Sequence, residues 1–127
     1  PTIALKNGVP LIAFSVQGGD TQDQNLLQFL LNMVEFGMNV QQAAEAPNIT
    51  SYQMQSSFGA HESEPGRLQI APQVAEDGVE AALREMGYLV ESQERPYSPI
   101  TAIYFDEETG TMWGGASDYG DDYGVAW

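Results

Sequence analysis

The stretch "FSVQGGDTQDQN", residues 14–25, decides how the chain is read. An apolar run stops at Gly18-Gly19, an acidic and amide-rich segment follows, and the apolar run "LLQFLLNMV" comes next. The pattern is a strand, a two-glycine joint and a helix. Such a joint exposes backbone N–H groups with no side chain in the way. Two readings of the glycines stand at this point. One is a tight turn with close packing. The other is a set of donors for an anion, either a phosphate or the oxyanion of an acyl-transfer intermediate. "GGDTQD" is not a dinucleotide-binding G-x-G-x-x-G and carries no Walker lysine, and Asp20 beside the loop argues against phosphate.

Upstream, "TIALKNGVPLIAFSV" reads as a β-hairpin, residues 2–6 and 9–16, turning at Asn7-Gly8. The second arm is apolar at nearly every position, which predicts a strand covered on both faces. Downstream, a helix is expected over residues 20–36, capped by Asp20 or Thr21 and ended by Gly37. Leu26, Phe29, Leu30, Met33 and Val34 fall on one side, and Leu27 and Leu31 widen it to a largely buried helix. "NVQQAAEAPN" predicts a short helix capped by Asn39 and stopped at Pro47.

Residues 49–55 then read as a strand, "SSFGAHESEPG" as a polar loop, and residues 68–70 as short and strand-like. "APQVAEDGVEAALREMGY" predicts a single third helix stopped by Gly87, with a strand at residues 88–92 after it. "ITAIYFDEETGTMWGGAS" is a second hairpin turning at "DEETG". The order is β-β-α-α-β-α-β-β-β, and hairpins imply antiparallel pairing with helices on the sheet faces. The expected fold class is layered α+β, and 127 residues at 43% hydrophobic content suit a single domain over 1–127 with a real core.

The net charge is −14, and Lys6, Arg67, Arg84 and Arg95 are the fixed cations. Such a surface repels phosphate backbones and anionic lipid, so nucleic acid and membrane are not expected partners. Acidity also aids solubility; a cationic partner subunit and a salt-adapted source are the other readings. No cysteine is present, which removes disulfides, thiolate metal sites and a cysteine nucleophile. No apolar run reaches the roughly 20 residues of a membrane span, and no signal-peptide pattern is visible. The opening "PTIAL" reads as the interior of a larger protein.

Other chemistry-bearing residues read more plainly. His61, the one histidine, lies in a polar loop, and no G-x-S-x-G accompanies it. Asp118, Asp121 and Asp122 offer oxygen ligands for calcium, but their spacing is not that of an EF-hand, and a solvated acidic turn is the plainer reading. Glu62 and Glu64 read as surface charges, and Tyr104, Trp113 and Trp127 as packing residues.

Taken together, residues 1–48 resemble the γ-glutamyltransferase family. That family shows Pro-Thr, three apolar residues and Lys-(Asp/Asn)-Gly, matched by residues 1–8. Gly-Gly follows, matched by Gly18-Gly19. A helix then carries Gln and Asn, here Gln28 and Asn32, and leads to an acidic-aromatic-Gly-Met-Asn run, here residues 35–39, and to Ala-x-x-Ala-Pro-Arg, here residues 44–48. "LREMGY" and "GGASDYGDDYGVAW" resemble later family motifs, so the likeness runs in order through nearly the whole chain.

The resemblance implies the N-terminal-nucleophile hydrolase fold, an αββα sandwich of which this chain would be a C-terminal part of the small subunit. It implies a precursor that cleaves itself, a large-subunit partner from the same precursor, a γ-glutamyl small-molecule substrate, and no cofactor or metal. In that family a small-subunit N-terminal threonine attacks the γ-glutamyl amide, its own amine serving as base. The glycines matching Gly18 and Gly19 supply oxyanion-hole N–H groups. Thr2 matches a strand threonine of the family and not the nucleophile, which falls upstream with the donor-binding serine pair. On that reading the chain by itself is inactive. Bacterial relatives are often periplasmic or secreted. This sequence departs from the pattern at Asn48 and Tyr119, where the family has arginine and proline, and at Tyr88, where it has histidine. The "DYG" at 118–120 also replaces Asp-Pro-Arg. Those departures leave open another amide substrate, as in cephalosporin acylases, or a non-catalytic domain on the same scaffold.

Overall fold

The computed structural model describes residues 1–76, 78–94, 98–118 and 124. Its elements in order are β1 (Thr2–Lys6), β2 (Val9–Val16), α1 (Gln22–Val34), α2 (Val40–Glu45), β3 (Ile49–Ser51), β4 (Arg67–Ile70), α3 (Pro72–Glu76), α4 (Val79–Glu85), β5 (Leu89–Ser92), β6 (Ile100–Asp106) and β7 (Thr111–Ala116). They cluster in two compact units.

The first unit holds Pro1–Gln17, Leu26–Ala46 and Ser98–Trp127. Its sheet is antiparallel throughout, in the order β1-β2-β6-β7. Asn7 and Gly8 both take positive φ, 54° and 83°, as the two-residue hairpin turn requires. The second hairpin turns where "DEETG" predicts. There the Asp106 carboxylate accepts from the Thr109 hydroxyl and from the backbone N–H groups of Glu108 and Thr109.

Side chains alternate across a strand, so the register defines two faces of this sheet. Ile12, Phe14, Ile100 and Ala102 face the core with Phe29 of α1 and Val40, Ala43 and Ala44 of α2. Phe14 and Phe29 stack tilted, their ring centroids 5.2 Å apart. The opposite face carries the row Ile3–Ala13–Ile103–Gly114. Ile3, Leu5, Ile103 and Met112 on that face are exposed. The expectation that β2 is covered on both faces therefore holds for one face only: Ile12 and Phe14 are buried and Leu11, the extra residue at the register shift, packs on the same core, while Ala13 and Ser15 are half-buried.

Helix α1 is likewise less buried than its composition predicts. Phe29 is 0% exposed, yet Leu27 is 57% exposed and Val34 is also open, as is Phe36 beyond the helix end. Helix α2 forms as expected. Asn39 accepts from the Gln42 N–H at 2.9 Å and Gln42 Oε1 accepts from the Asn39 N–H at 3.0 Å, a reciprocal capping box. Gln41 docks its amide on the backbone of Ala116 in β7, donating at 2.7 Å and accepting at 3.1 Å. This seats α2 on Gly115, where a methyl group would fall 2.7 Å from the Val40 carbonyl oxygen.

The second unit holds Gly18–Asn25 and Pro47–Tyr97. Its sheet runs β3-β4-β5; β3 and β4 are antiparallel, but β4 and β5 are parallel. Antiparallel pairing alone, as the hairpins suggested, is thus not the whole topology: α3 and α4 form the crossover that a parallel pair needs. The single third helix expected over this stretch is two. Gly78 sits at φ 77°, a left-handed conformation that ends α3 and starts α4 anew. β3 is three residues long and not seven: Tyr52 still exchanges backbone hydrogen bonds with Arg67 and Glu64, and beyond it the chain passes into the polar loop. Leu68, Ile70, Ala71 and Val90 are buried. Arg67 clasps Glu64 at 2.6 Å and Glu91 at 2.9 Å, with its guanidinium 4.4 Å over the Tyr52 ring. No helix among the described residues is long and apolar enough to cross a membrane.

Candidate functional site around Gly18 and Gly19

Gly18 adopts φ 121°, a value that a side chain resists. Its carbonyl accepts from the Gln22 side-chain amide, and the Gly19 carbonyl accepts from the Gln22 N–H at 3.1 Å. One residue in the first turn of α1 thus engages both glycine carbonyls. The two glycine N–H groups make no hydrogen bond among the described residues. With the acceptors engaged and the donors left over, the turn suits a negatively charged oxygen.

Of the two caps the sequence offers, Thr21 directly precedes α1 and its carbonyl accepts from the Asn25 N–H; Asp20 does not cap the helix. Its carboxylate turns to the polar loop instead, accepting from the Ser57 N–H at 2.7 Å, from the Ser56 hydroxyl at 2.9 Å, and from the Ser57 hydroxyl. The Ser57 hydroxyl leads the causes that hold this carboxyl below the usual carboxylate range. The same loop brings Phe58 against the turn: a methyl group on Gly19 would lie 2.6 Å from Phe58 Cε2. Phe58 is nevertheless 65% exposed.

His61 belongs to this loop. It is exposed, at φ 56°, with its N–H donating to the Phe58 carbonyl at 3.2 Å. Its Nδ1 lies 2.8 Å from the Ser56 carbonyl oxygen, which makes Nδ1–H the donor. The structure therefore brings Gly18, Gly19, Asp20, Ser56, Ser57 and Phe58 together. Ser56, Ser57 and Phe58 carry no sequence signal: they lie nearly forty positions from the glycines, in a stretch that reads only as a polar loop.

Behind the turn, amides pin α1 to β3. Gln24 donates to the Ser51 carbonyl at 2.9 Å and accepts from the Ser51 N–H at 2.8 Å. Asn48, at the first family departure, is buried and donates to Asn25 Oδ1 at 3.1 Å, while its own Oδ1 accepts from the Ile49 N–H at 3.0 Å. Asn25 is 0% exposed, and its Nδ2 is without a partner among the described residues.

The remaining sequence candidates lie elsewhere. Thr2 is an exposed β1 residue paired with Phe14. Tyr88, half-buried, precedes β5 and donates its N–H to the Leu83 carbonyl. Glu64 is tied to Arg67, and Glu62 is exposed. Tyr104 packs on the first unit's core, but Trp113 is 58% exposed, so it is not the packing residue expected; its indole N–H donates to Thr111 Oγ1. Tyr119, Asp121, Asp122, Trp127 and Arg95 lie outside the described residues. Among the described residues no group of three or more His, Asp or Glu side chains could hold a metal ion. An open cavity of about 580 Å³ in the first unit is lined by Lys6, Met33, Tyr104, Asp106 and Trp113, among others, and by none of the glycine-turn residues.

The family model for γ-glutamyltranspeptidase matches residues 1–127. A curated relative, the glutathione hydrolase-like YwrD proenzyme of Bacillus subtilis, is 30% identical over 129 residues, covering 98% of this chain and 23% of its own length. Cephalosporin acylase from Bacillus halodurans superimposes with a TM-score of 0.80 at 27% identity, over 96% of this chain and 21% of that one. γ-Glutamyltranspeptidase from Pseudomonas nitroreducens superimposes with a TM-score of 0.74 at 19% identity, over 100% of this chain and 61% of that one, a likeness of fold. The chain thus spans less than a quarter of the length of that curated relative. Its α+β fold is that of the N-terminal-nucleophile hydrolases, and the chain belongs to the γ-glutamyltranspeptidase family.

Proposed function

We propose that this chain is part of an autoprocessing N-terminal-threonine acyltransferase or hydrolase acting on γ-glutamyl amides, to which it contributes the oxyanion-hole turn Gly18-Gly19. The observation that carries the reading is the division of labour in that turn: Gln22 engages both carbonyls, and both N–H groups are left over. In this mechanism a threonine from another part of the precursor attacks the amide carbonyl carbon, and its α-amine takes the hydroxyl proton. The carbonyl oxygen gains negative charge as the carbon becomes tetrahedral, and the two glycine N–H groups meet it. The amine leaves with the proton, and water or an amino acid then takes the acyl group. Donors held in place before the charge develops need no reorganisation, and one such donor is worth about 3–4 kcal/mol of transition-state stabilisation.

The open apolar face of the first unit's sheet supports a partner. Ile3, Leu5, Ile103 and Met112 are a face that other precursor segments, including the large subunit, would cover. The relatives' names as proenzymes agree with this. A second reading, acylase action on a different amide, is favoured by the likeness to cephalosporin acylase and by Asn48 in place of the family arginine.

The test uses the full-length protein, with a denaturing gel, N-terminal sequencing of the bands, and an assay on a γ-glutamyl anilide beside a cephalosporin side-chain amide. Two bands, the smaller starting with threonine, and anilide release are expected. Release from the second amide alone selects the acylase reading. A single uncleaved band without release from either contradicts both.

A further inference from the structure

We propose that Asp20 is a positioning residue for the oxyanion hole: clamped to Ser56 and Ser57, it holds the Gly18-Gly19 turn with its N–H groups presented. The inference rests on the oxyanion reading of that turn.

A Gly-Gly joint has no side chains and the widest backbone freedom of any dipeptide, so its geometry must be imposed from outside. Gln22 holds it from the helix side, through the two carbonyls. Asp20, the next residue after Gly19, holds it from the other side through three donors on Ser56 and Ser57. The anchor is itself braced. The Ser56 N–H donates to the Glu62 carbonyl at 2.9 Å, the Phe58 N–H donates to Ser56 Oγ at 3.1 Å, and His61 Nδ1 donates to the Ser56 carbonyl at 2.8 Å. Phe58 then rests its ring edge on Gly19, closing one side of the turn.

An exposed carboxylate gains little by leaving water for three protein donors unless something else is held by the arrangement. What is held here is the residue pair directly before it. An oxyanion hole misplaced by a fraction of an ångström loses catalysis without losing substrate. The role therefore has a kinetic signature that a purely structural contact lacks.

The test compares Asp20→Ala, Asp20→Asn, Ser57→Ala and Gly19→Pro in the processed full-length enzyme. The readouts are kcat and KM on the γ-glutamyl anilide and inhibition by a boronic-acid analogue of the acyl donor, whose tetrahedral adduct needs the same N–H groups. Asp20→Ala is expected to lower kcat about 10- to 100-fold with KM within about twofold, and to weaken the boronate by a similar factor. Asp20→Asn keeps an acceptor for the Ser57 N–H and is expected to restore most of the rate. Ser57→Ala keeps that N–H and is expected to lose less than Asp20→Ala, so it serves if Asp20→Ala fails to fold or process. Wild-type kcat in Asp20→Ala and Ser57→Ala, with Gly19→Pro inactive, would overturn the positioning role and leave the oxyanion hole standing. Full activity in Gly19→Pro would overturn the hole itself. A loss in Asp20→Ala that falls on KM, or that Asp20→Asn does not relieve, would also overturn the inference.

Discussion

The two units solve the same problem with different materials. The first packs around apolar side chains: eight buried ones from β2, β6, α1 and α2 form one cluster, with Phe14 against Phe29. The second has a short three-stranded sheet, and polar side chains lock its connections. Gln24 and the Asn25–Asn48 pair fasten the start of α1 to β3, Asp20 fastens the glycine turn to the polar loop, and Arg67 ties β4 to β5 and to Glu64. Apolar burial is strong but undirected, whereas hydrogen bonds fix angles. The first unit has directed contacts too, at Gln41 and in the α2 capping box, but in the unit that carries the glycine turn they fasten that turn and the start of α1.

That contrast sets an order of expected effects. Phe29→Ala removes a fully buried ring from the first unit and is expected to cost about 3–5 kcal/mol, read from the denaturant midpoint of the full-length protein. A cost under about 1 kcal/mol would mean that this core does not carry the unit. Asn48→Ala leaves Asn25 Oδ1 without its donor and is expected to cost about 1–3 kcal/mol. The double variant with Asn25→Ala is expected to cost less than the sum of the two single changes, because each single change strands a buried group that the double change removes. Strict additivity would show that the amide pair does not couple.

Acid is expected to act last and least. Asp106 has its carboxyl held below the usual range, first by the Thr109 hydroxyl, as Ser57 does for Asp20. A depressed folded-state pKa contributes stability that is present above the unfolded value of 3.8 and is lost as pH falls through the folded one. The denaturation midpoint should therefore not change with pH on account of these groups between about pH 5 and pH 7, where their contribution is full, and should fall below about pH 4, less steeply in Asp106→Asn. An unchanged acid slope in that variant would remove Asp106 from the account.

Much of the first unit was legible because its signals are local. Asn7-Gly8 and "DEETG" name their turns, and Asn39 with Gln42 names its cap. Gly18-Gly19 was legible as the joint between β2 and α1 because a local break in the apolar run marks it. The rest depends on partners far along the chain. Asp20 reads as a helix cap by position, and only the fold offers it Ser57. Leu27 and Leu31 read as core because periodicity reports apolarity and not what lies opposite. Gly78 sat inside a helical pattern, where its left-handed φ leaves no mark. The parallel β4–β5 pair was hidden in a strand too short to stand out.

The most direct measurement is the turnover of Gly19→Pro beside Gly19→Ala in the processed full-length enzyme. Proline deletes the N–H, whereas alanine keeps it and has the exposed Phe58 ring as the nearest neighbour of its methyl group. The oxyanion account predicts that Gly19→Pro loses at least about 100-fold in kcat while Gly19→Ala keeps most of it. Equal activity in the two variants would contradict it.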